Sequence, residues 1–358
     1  MGFSLVPGIG RIKLSLVEAY FGDLERAWHA PLAELTAAGL DSKSAQAVVS
    51  LRDAISLDDE IQKLKQYNVT LLTGDDTAYP RRLKETYDYP PLLYVRGTLV
   101  PDDECALGVV GTRRASVYGK QVAEEMVAEL ARNRMTIVSG LAKGIDSVAH
   151  RTALQCGGRT IAVAACGLDM VYPSEHAELA RQIMHQGALV SEFPLGTRPK
   201  AEHFPQRNRI ISGMSLGVLV VEAGEQSGAM ITAKWAVEQN REVFAVPGSI
   251  FSPGSKGTNR LIQEGAKLVR NCNDILEELN LMAVAYQMDM DDLAGTTDTE
   301  AQVMACLSEE ATHIDDVCRH SALPISTVAS VLAMLELKGL VKQVGGMNYV
   351  VSPAARRA

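Results

Sequence analysis

Several things are scarce in this chain, and each scarcity removes a class of function. Aromatic residues make up only 5% of its 358 residues, which argues against an extended stacking platform of many rings. No apolar run reaches the length of a membrane helix. The opening MGFSLVPGIGRIKLS has neither the continuous apolar region nor the cleavage site of a secretory leader, so a cytoplasmic protein with no membrane partner is expected. Cys105, Cys156, Cys166, Cys272, Cys306 and Cys318 are scattered without a CxxC pair, which argues for reduced thiols and against a zinc site. His176, His185 and His313 have no metal-like spacing, and neither GxGxxG nor GxxxxGK[ST] occurs. No cofactor is expected. Positive charge is also short: the formal net charge is −8, which taken alone argues against nucleic acid.

The distribution of charge alters that argument. Residues 198–209, RPKAEHFPQRNR, carry four cations against one acid, and 111–159 is net basic. The acids crowd into 274–316. Between these, apolar runs alternate with helical stretches: LGVV (107–110), TIVSG (136–140), TIAVAA (160–165), ALVSE (188–192), LGVLVVE (216–222), EVFAV (242–246) and KLV (267–269). Strands apolar on nearly every residue are buried on both faces. Their alternation with helices predicts a Rossmann-like, doubly wound, mostly parallel α/β sheet. Ligands of such sheets bind beyond the carboxyl ends of the strands, where the loops opening at 111, 140, 166, 193, 223 and 247 would share one edge.

Four of those loops carry the parts of a single-strand nucleic-acid site. GTRRAS supplies Gly111, Thr112 and Arg113, and SGLAKGID supplies Ser139, Gly140, Lys143 and Gly144. HFPQRNR supplies the aromatic Phe204 beside Arg207, Asn208 and Arg209, and EQSGAMITA opens a helix at Ser227 and Gly228. Glycines allow close backbone approach, and a following helix offers free N–H groups to an anion. A mononucleotide needs one or two such loops, whereas a polymer track uses several. Other roles remain open: Arg207 and Arg209 as a solvated face or paired with acids, Phe204 as core, Asp146 as a helix N-cap. A helix is expected near 208–214.

The ends read as separate domains. Residues 1–65 are helical, and LVPGIGRIKL suggests a helix–PGIG–helix element of the SAM or helix-hairpin-helix kind, which also suits plain helical packing. Residues 66–280, including a proline-punctuated lead-in at 66–105, form the Rossmann-like domain, and 281–298 an acidic linker. Residues 299–358 read as three helices and a hairpin turning at Gly345-Gly346, a winged helix. Its third helix, PISTVASVLAMLELK, has one cation and one acid, so a protein contact or a weak duplex contact is favoured over sequence-specific readout.

VVGTRRASVYG, SGLAKGIDSVAHRTAL, ACGLDMVYP, FPQRNRIISG, VVEAGEQSGAMITAKWA and VFAVPGSIFSPGSKGTNRLIQEGA together resemble the DNA-processing protein DprA (Smf) family. The resemblance implies a binding protein without a catalytic cycle. It implies one that holds single-stranded DNA entering during natural transformation (competence), protects it, loads the recombinase RecA, and forms a homodimer. By position, Gly111, Thr112 and Arg113 match the family's first phosphate loop. Ser139, Gly140, Lys143 and Gly144 match its second, where Arg is commoner than Lys; Phe204, Arg207, Asn208 and Arg209 match the remaining DNA-facing motif. Lysine at 143 keeps the charge but loses the bidentate fork. The alternative is a nucleotide phosphoribohydrolase-like enzyme of the lysine-decarboxylase-like family. Its PGGxGTxxE glutamate has no counterpart in EAGEQSGAMITA, although Glu222 and Glu225 lie close by.

Overall fold

The computed structural model describes residues 1–281, 298–308, 311–321, 323–337 and 340–351. The expected acidic linker therefore lies, but for its end residues, outside the described residues. Two compact units are present, Met1–Leu279 and Asn280–Ala358.

The first unit opens with a single 3₁₀ turn, Gly2–Leu5, followed by the PGIG turn and helices α1 (Arg11–Phe21), α2 (Leu24–His29), α3 (Leu32–Ala37), α4 (Ser42–Ala54) and α5 (Leu57–Gln66). The full helix expected before PGIG is thus only one turn. The side chains of Asp23, Asp41 and Ser56 accept N-terminal amides of α2, α4 and α5. Phe3, Val17, Phe21, Trp28, Leu35 and Val48 close a small apolar core over these helices.

The sheet follows, with β1 (Thr70–Thr73), α6 (Arg81–Lys84), β2 (Leu92–Gly97), β3 (Ala106–Val110), α7 (Val117–Arg132), β4 (Thr136–Ser139), α8 (Ile145–Gln155), β5 (Thr160–Val163), α9 (Ala177–Gln186), β6 (Gly187–Ser191), α10 (His203–Gly213), β7 (Gly217–Val220), α11 (Gly228–Glu238), β8 (Glu242–Ala245), α12 (Lys256–Gln263), β9 (Lys267–Leu268) and α13 (Cys272–Glu278). The strand order is β1-β2-β6-β5-β4-β3-β7-β8-β9. From β6 to β9 all pairs are parallel, with β3 in register against β7 from Leu107↔Gly217 to Val110↔Val220. β3 to β7 are buried along their whole length, as strands covered on both faces must be.

The segment 66–105, read only as a lead-in, contributes two strands. β1 pairs with β2 and β2 with β6, both antiparallel, so it extends the sheet past its parallel part. α10 begins at His203 rather than near 208, because Pro205 falls in its first turn, where no intrahelical N–H is missed. Phe204, Arg207, Asn208 and Arg209 consequently all lie on a helix.

In the second unit α14 (Asp298–Met304), α15 (Ile314–Ser321) and α16 (Ile325–Leu337) precede the hairpin β11 (Val341–Gly345) and β12 (Asn348–Val351). A two-residue strand β10 (Thr312–His313) joins this hairpin in the order β10-β12-β11. This is the winged-helix pattern, with Val303, Val317, Val328, Leu332 and Leu335 as its core. Gly345 pairs with Asn348, so the loop residues are Gly346 and Met347, both left-handed, one position later than expected. No described helix is long and apolar enough to cross a membrane.

Candidate nucleic-acid interface

The strands β3, β4, β5 and β7 end on the same edge, and beyond them lies a cavity of about 830 Å³. Its walls come from the loop after β3 (Gly111, Thr112, Arg113, Arg114), the first turns of α10 (Phe204, Arg207, Asn208) and the start of α11 (Ser227, Gly228). Tyr172 and Lys200 complete the rim. Single-ligand pockets span roughly 300–1,000 Å³, so volume alone does not separate a nucleotide from a strand.

The rim is aromatic and cationic. The Arg113 guanidinium lies 5.1 Å from the centre of the Phe204 ring, and the Tyr172 ring is tilted 58° to that ring at 5.7 Å. Both Arg113 and Arg114 are exposed, and among the described residues neither has a carboxylate partner. Among the described residues Lys200 reaches only Glu202, at 3.9 Å. Ser227 caps α11 by accepting the Ala229 amide, which aims the first turn of that helix at the cavity.

The floor is different in kind. Arg207 is 3% exposed and donates to the carbonyls of Gly140 (2.8 Å) and Val163, while its Nε donates to Asn208 Oδ1 (3.2 Å). Asn208 in turn donates to the carbonyl of Gly228 at 3.2 Å. One pair of side chains thus ties together the ends of β4 and β5 and the start of α11. Burial pulls the Arg207 guanidinium down to about 10, still charged at neutral pH. The Asp146 carboxyl beside it is pushed up by burial, opposed by Arg207 and by the amides of Gly140 (3.1 Å) and Ala142 (3.4 Å). Asp146 is therefore not the N-cap of α8. That position belongs to Gly144, and the carboxylate holds the loop behind it.

Glycine is required twice in this loop. At Gly140 an added Cβ would sit 2.5 Å from Arg207 and 2.7 Å from Asp146. Gly144 has φ +79°, and its Cβ would strike the Thr112 carbonyl oxygen. Both glycines serve close packing between loops.

Five of the candidate residues do not line the cavity: Gly140 and Gly144, which pack behind it, and three others. Ser139 is fully buried and donates to the Val109 carbonyl at 2.6 Å. Lys143 points outward and pairs with Glu175 at 2.7 Å. Arg209 is buried in an ion pair with Glu192, donates to the Asp88 carbonyl at 2.6 Å and lies 3.4 Å from the Asp88 carboxylate. Tyr172 and Arg114 were missed as candidates. Both sat in strand-end loops already in view, and loop position was the only signal for them.

A model of the DNA recombination-mediator protein A family matches residues 70–280. The chain belongs to this family. The DprA winged helix domain matches residues 289–347. Protein Smf of Escherichia coli (strain K12) is 40% identical over 357 residues, covering 95% of this chain and 94% of that protein. The crystal structure of DprA from Streptococcus pneumoniae matches with a TM-score of 0.68 at 37% identity, covering 78% of this chain and 98% of that one. DprA from Helicobacter pylori, described for its single-stranded DNA binding mode, matches with a TM-score of 0.53 at 29% identity over 59% of this chain and 95% of its own.

In this DprA-family chain the carboxylate nearest an enzymatic role is committed elsewhere. Glu222 is 6% exposed and accepts the Ser116 amide at 2.9 Å, and the backbone at Gly119 and Gly254 closes on its two oxygens. Glu225 is exposed and does not line the cavity. Among the described residues Asp146 is the cavity's one lining carboxylate, and two loop amides hold it.

Proposed function

We propose that this chain is a recombination mediator that binds single-stranded DNA at the cavity beyond β3, β4, β5 and β7. The observation that carries the reading is the unpaired Arg113 over the Phe204 ring, beside Tyr172 and Arg114. Cations neutralise phosphates, and rings accept any base by stacking, which is the chemistry of sequence-tolerant strand binding. The Helicobacter pylori relative and the family membership support the same reading. Gly111, Thr112, Ser227 and Gly228 present backbone to the strand; Gly140, Gly144, Arg207 and Asn208 hold the loops that do so. Ser139, Lys143 and Arg209 support the edge from outside the cavity. The protein acts by holding DNA rather than by transforming it: it shields incoming strands in the cytoplasm during transformation, works as a homodimer, and delivers strands to RecA. The winged helix contacts a protein or, weakly, duplex DNA.

Fluorescence anisotropy with a labelled oligo-dT and a matched duplex, titrated with salt, tests this. The expected result is preference for the single strand and a salt slope of about −0.7 per phosphate contacted. Equal weak binding of both at low salt would overturn it and leave a small phosphate ligand in the cavity.

A further inference from the structure

Of the six phenylalanines, Phe3, Phe21, Phe193 and Phe244 are buried, and Phe204 is half-buried over the cavity. Phe251 is 89% exposed. It lies with Ile250, 74% exposed, in the turn after β8, and no packing within the described residues accounts for either. Beside that turn stands the first turn of α7, where Val117 is 84% and Tyr118 49% exposed. The two segments are bound to each other. Tyr118 Oη donates to the Pro247 carbonyl at 2.9 Å, and the Glu222 carboxylate accepts from Ser116 while an added Cβ at Gly254 would sit 2.5 Å from it. Lys256, five residues along the chain from Phe251, is exposed and, among the described residues, without a carboxylate partner.

We infer that the strand-binding surface continues past Arg114 onto this patch, with bases stacking on Tyr118 and Phe251 and a phosphate held by Lys256. The inference rests on the single-strand reading of the cavity and names where the strand goes next. Three observations favour DNA over a protein as the occupant. The α7 half of the patch, Val117 and Tyr118, follows Arg114 after only Ala115 and Ser116 in sequence. The patch stands on the same strand-end edge, since β8 lies beside β7 and β7 beside β3. Its two exposed rings stand on the segment that ends at the unpaired Lys256 and on the helix bound to it, and rings with a free cation match a sugar-phosphate chain. The cavity alone engages a short strand; the patch adds affinity only for a longer one.

The experiment compares Phe251→Ala and Lys256→Ala with the unaltered full chain, using dT strands of two lengths, one short enough to occupy only the cavity. Short-strand affinity should be unchanged in both variants. Long-strand affinity should fall about 5-fold or more for Phe251→Ala, the loss of one stacked base. A Phe251→Trp variant should bind long dT normally, and its added fluorescence should be quenched by the long strand and not by the short one. Long-strand affinity unchanged in Phe251→Ala, or no selective quenching, would overturn the inference while leaving the cavity reading intact. A changed sedimentation coefficient with unchanged DNA affinity would also overturn it, making the patch a contact between copies. Failure of the unaltered chain to bind either strand would sink the cavity reading itself.

Discussion

Arg113 and Arg114 on one side, Arg207 and Arg209 on the other, look alike in the sequence: two cations beside polar residues, each near a strand end. The folded chain uses them in opposite ways. The first pair is exposed, without carboxylate partners among the described residues, with Arg113 over Phe204. The second is buried, each guanidinium spent on carbonyls and acids of the protein itself. A cation available to a phosphate must have no partner of its own. A cation that holds loops together must have several. The comparison teaches that the charge at this edge divides into an exposed, unpaired rim and a structural floor.

The largest test of that division concerns stability. Arg207→Met should lower unfolding stability by about 3–5 kcal/mol, because Asp146 and two buried carbonyls lose their partner. Urea denaturation reads this, and Arg113→Met in the same assay should stay within about 0.5 kcal/mol of the original. If both variants melt alike, the division fails.

A second test comes from the floor's neighbourhood. His150 is fully buried, its Nδ1 2.6 Å from Thr160 Oγ1, and burial holds it down to about 3. Its folded value lies below the unfolded one, so the unfolded chain binds the extra proton. Stability should fall as pH drops from about 6.5 towards 3, by about 1.4 kcal/mol per pH unit for this one group. His150→Gln should flatten that slope between pH 6.5 and 5 by one proton's worth. An unaltered slope would mean that other groups carry the acid sensitivity.

On the rim the expected effects are on DNA. Arg113→Ala should weaken oligo-dT binding about 10-fold, with a shallower salt slope, since it removes one phosphate cation and its contact with Phe204. Lys143→Ala should give the smallest change, less than about 2-fold in affinity and less than about 0.5 kcal/mol in stability, because an exposed pair with Glu175 is worth little. An effect of Lys143→Ala larger than that of Arg113→Ala would reverse the order proposed for the rim.

The parallel strands were legible because burial on both faces leaves an unbroken apolar run, as in LGVV or TIAVAA. β1 and β2 were not. β1 has four residues of which one is buried, and β2, although six residues long and mostly buried, follows Pro90-Pro91 in a proline-punctuated stretch at the sheet's antiparallel edge. The glycine loops were legible as loops, but their service turned out to be mutual packing, which depends on partners far away in sequence. The pairing of Arg209 with acids was one of the open readings, but the burial of Arg207 on carbonyls was not. Two residues apart on a helix, they point about 200° away from each other. One therefore meets β4 and β5 and the other meets Glu192. Placing that stretch in a loop before 208 concealed this geometry.

The Glu222 carboxylate is gripped by the start of α7 at Ser116 and enclosed by the backbone at Gly119 and Gly254. The two stretches of chain that flank it cannot drift apart without stranding a buried charge. The edge thus acts as a ruler with fixed divisions: the spacing of its rings and cations is set when the chain folds. A flexible strand bound there as proposed would take on the protein's spacing, and give up its own coiling to do so.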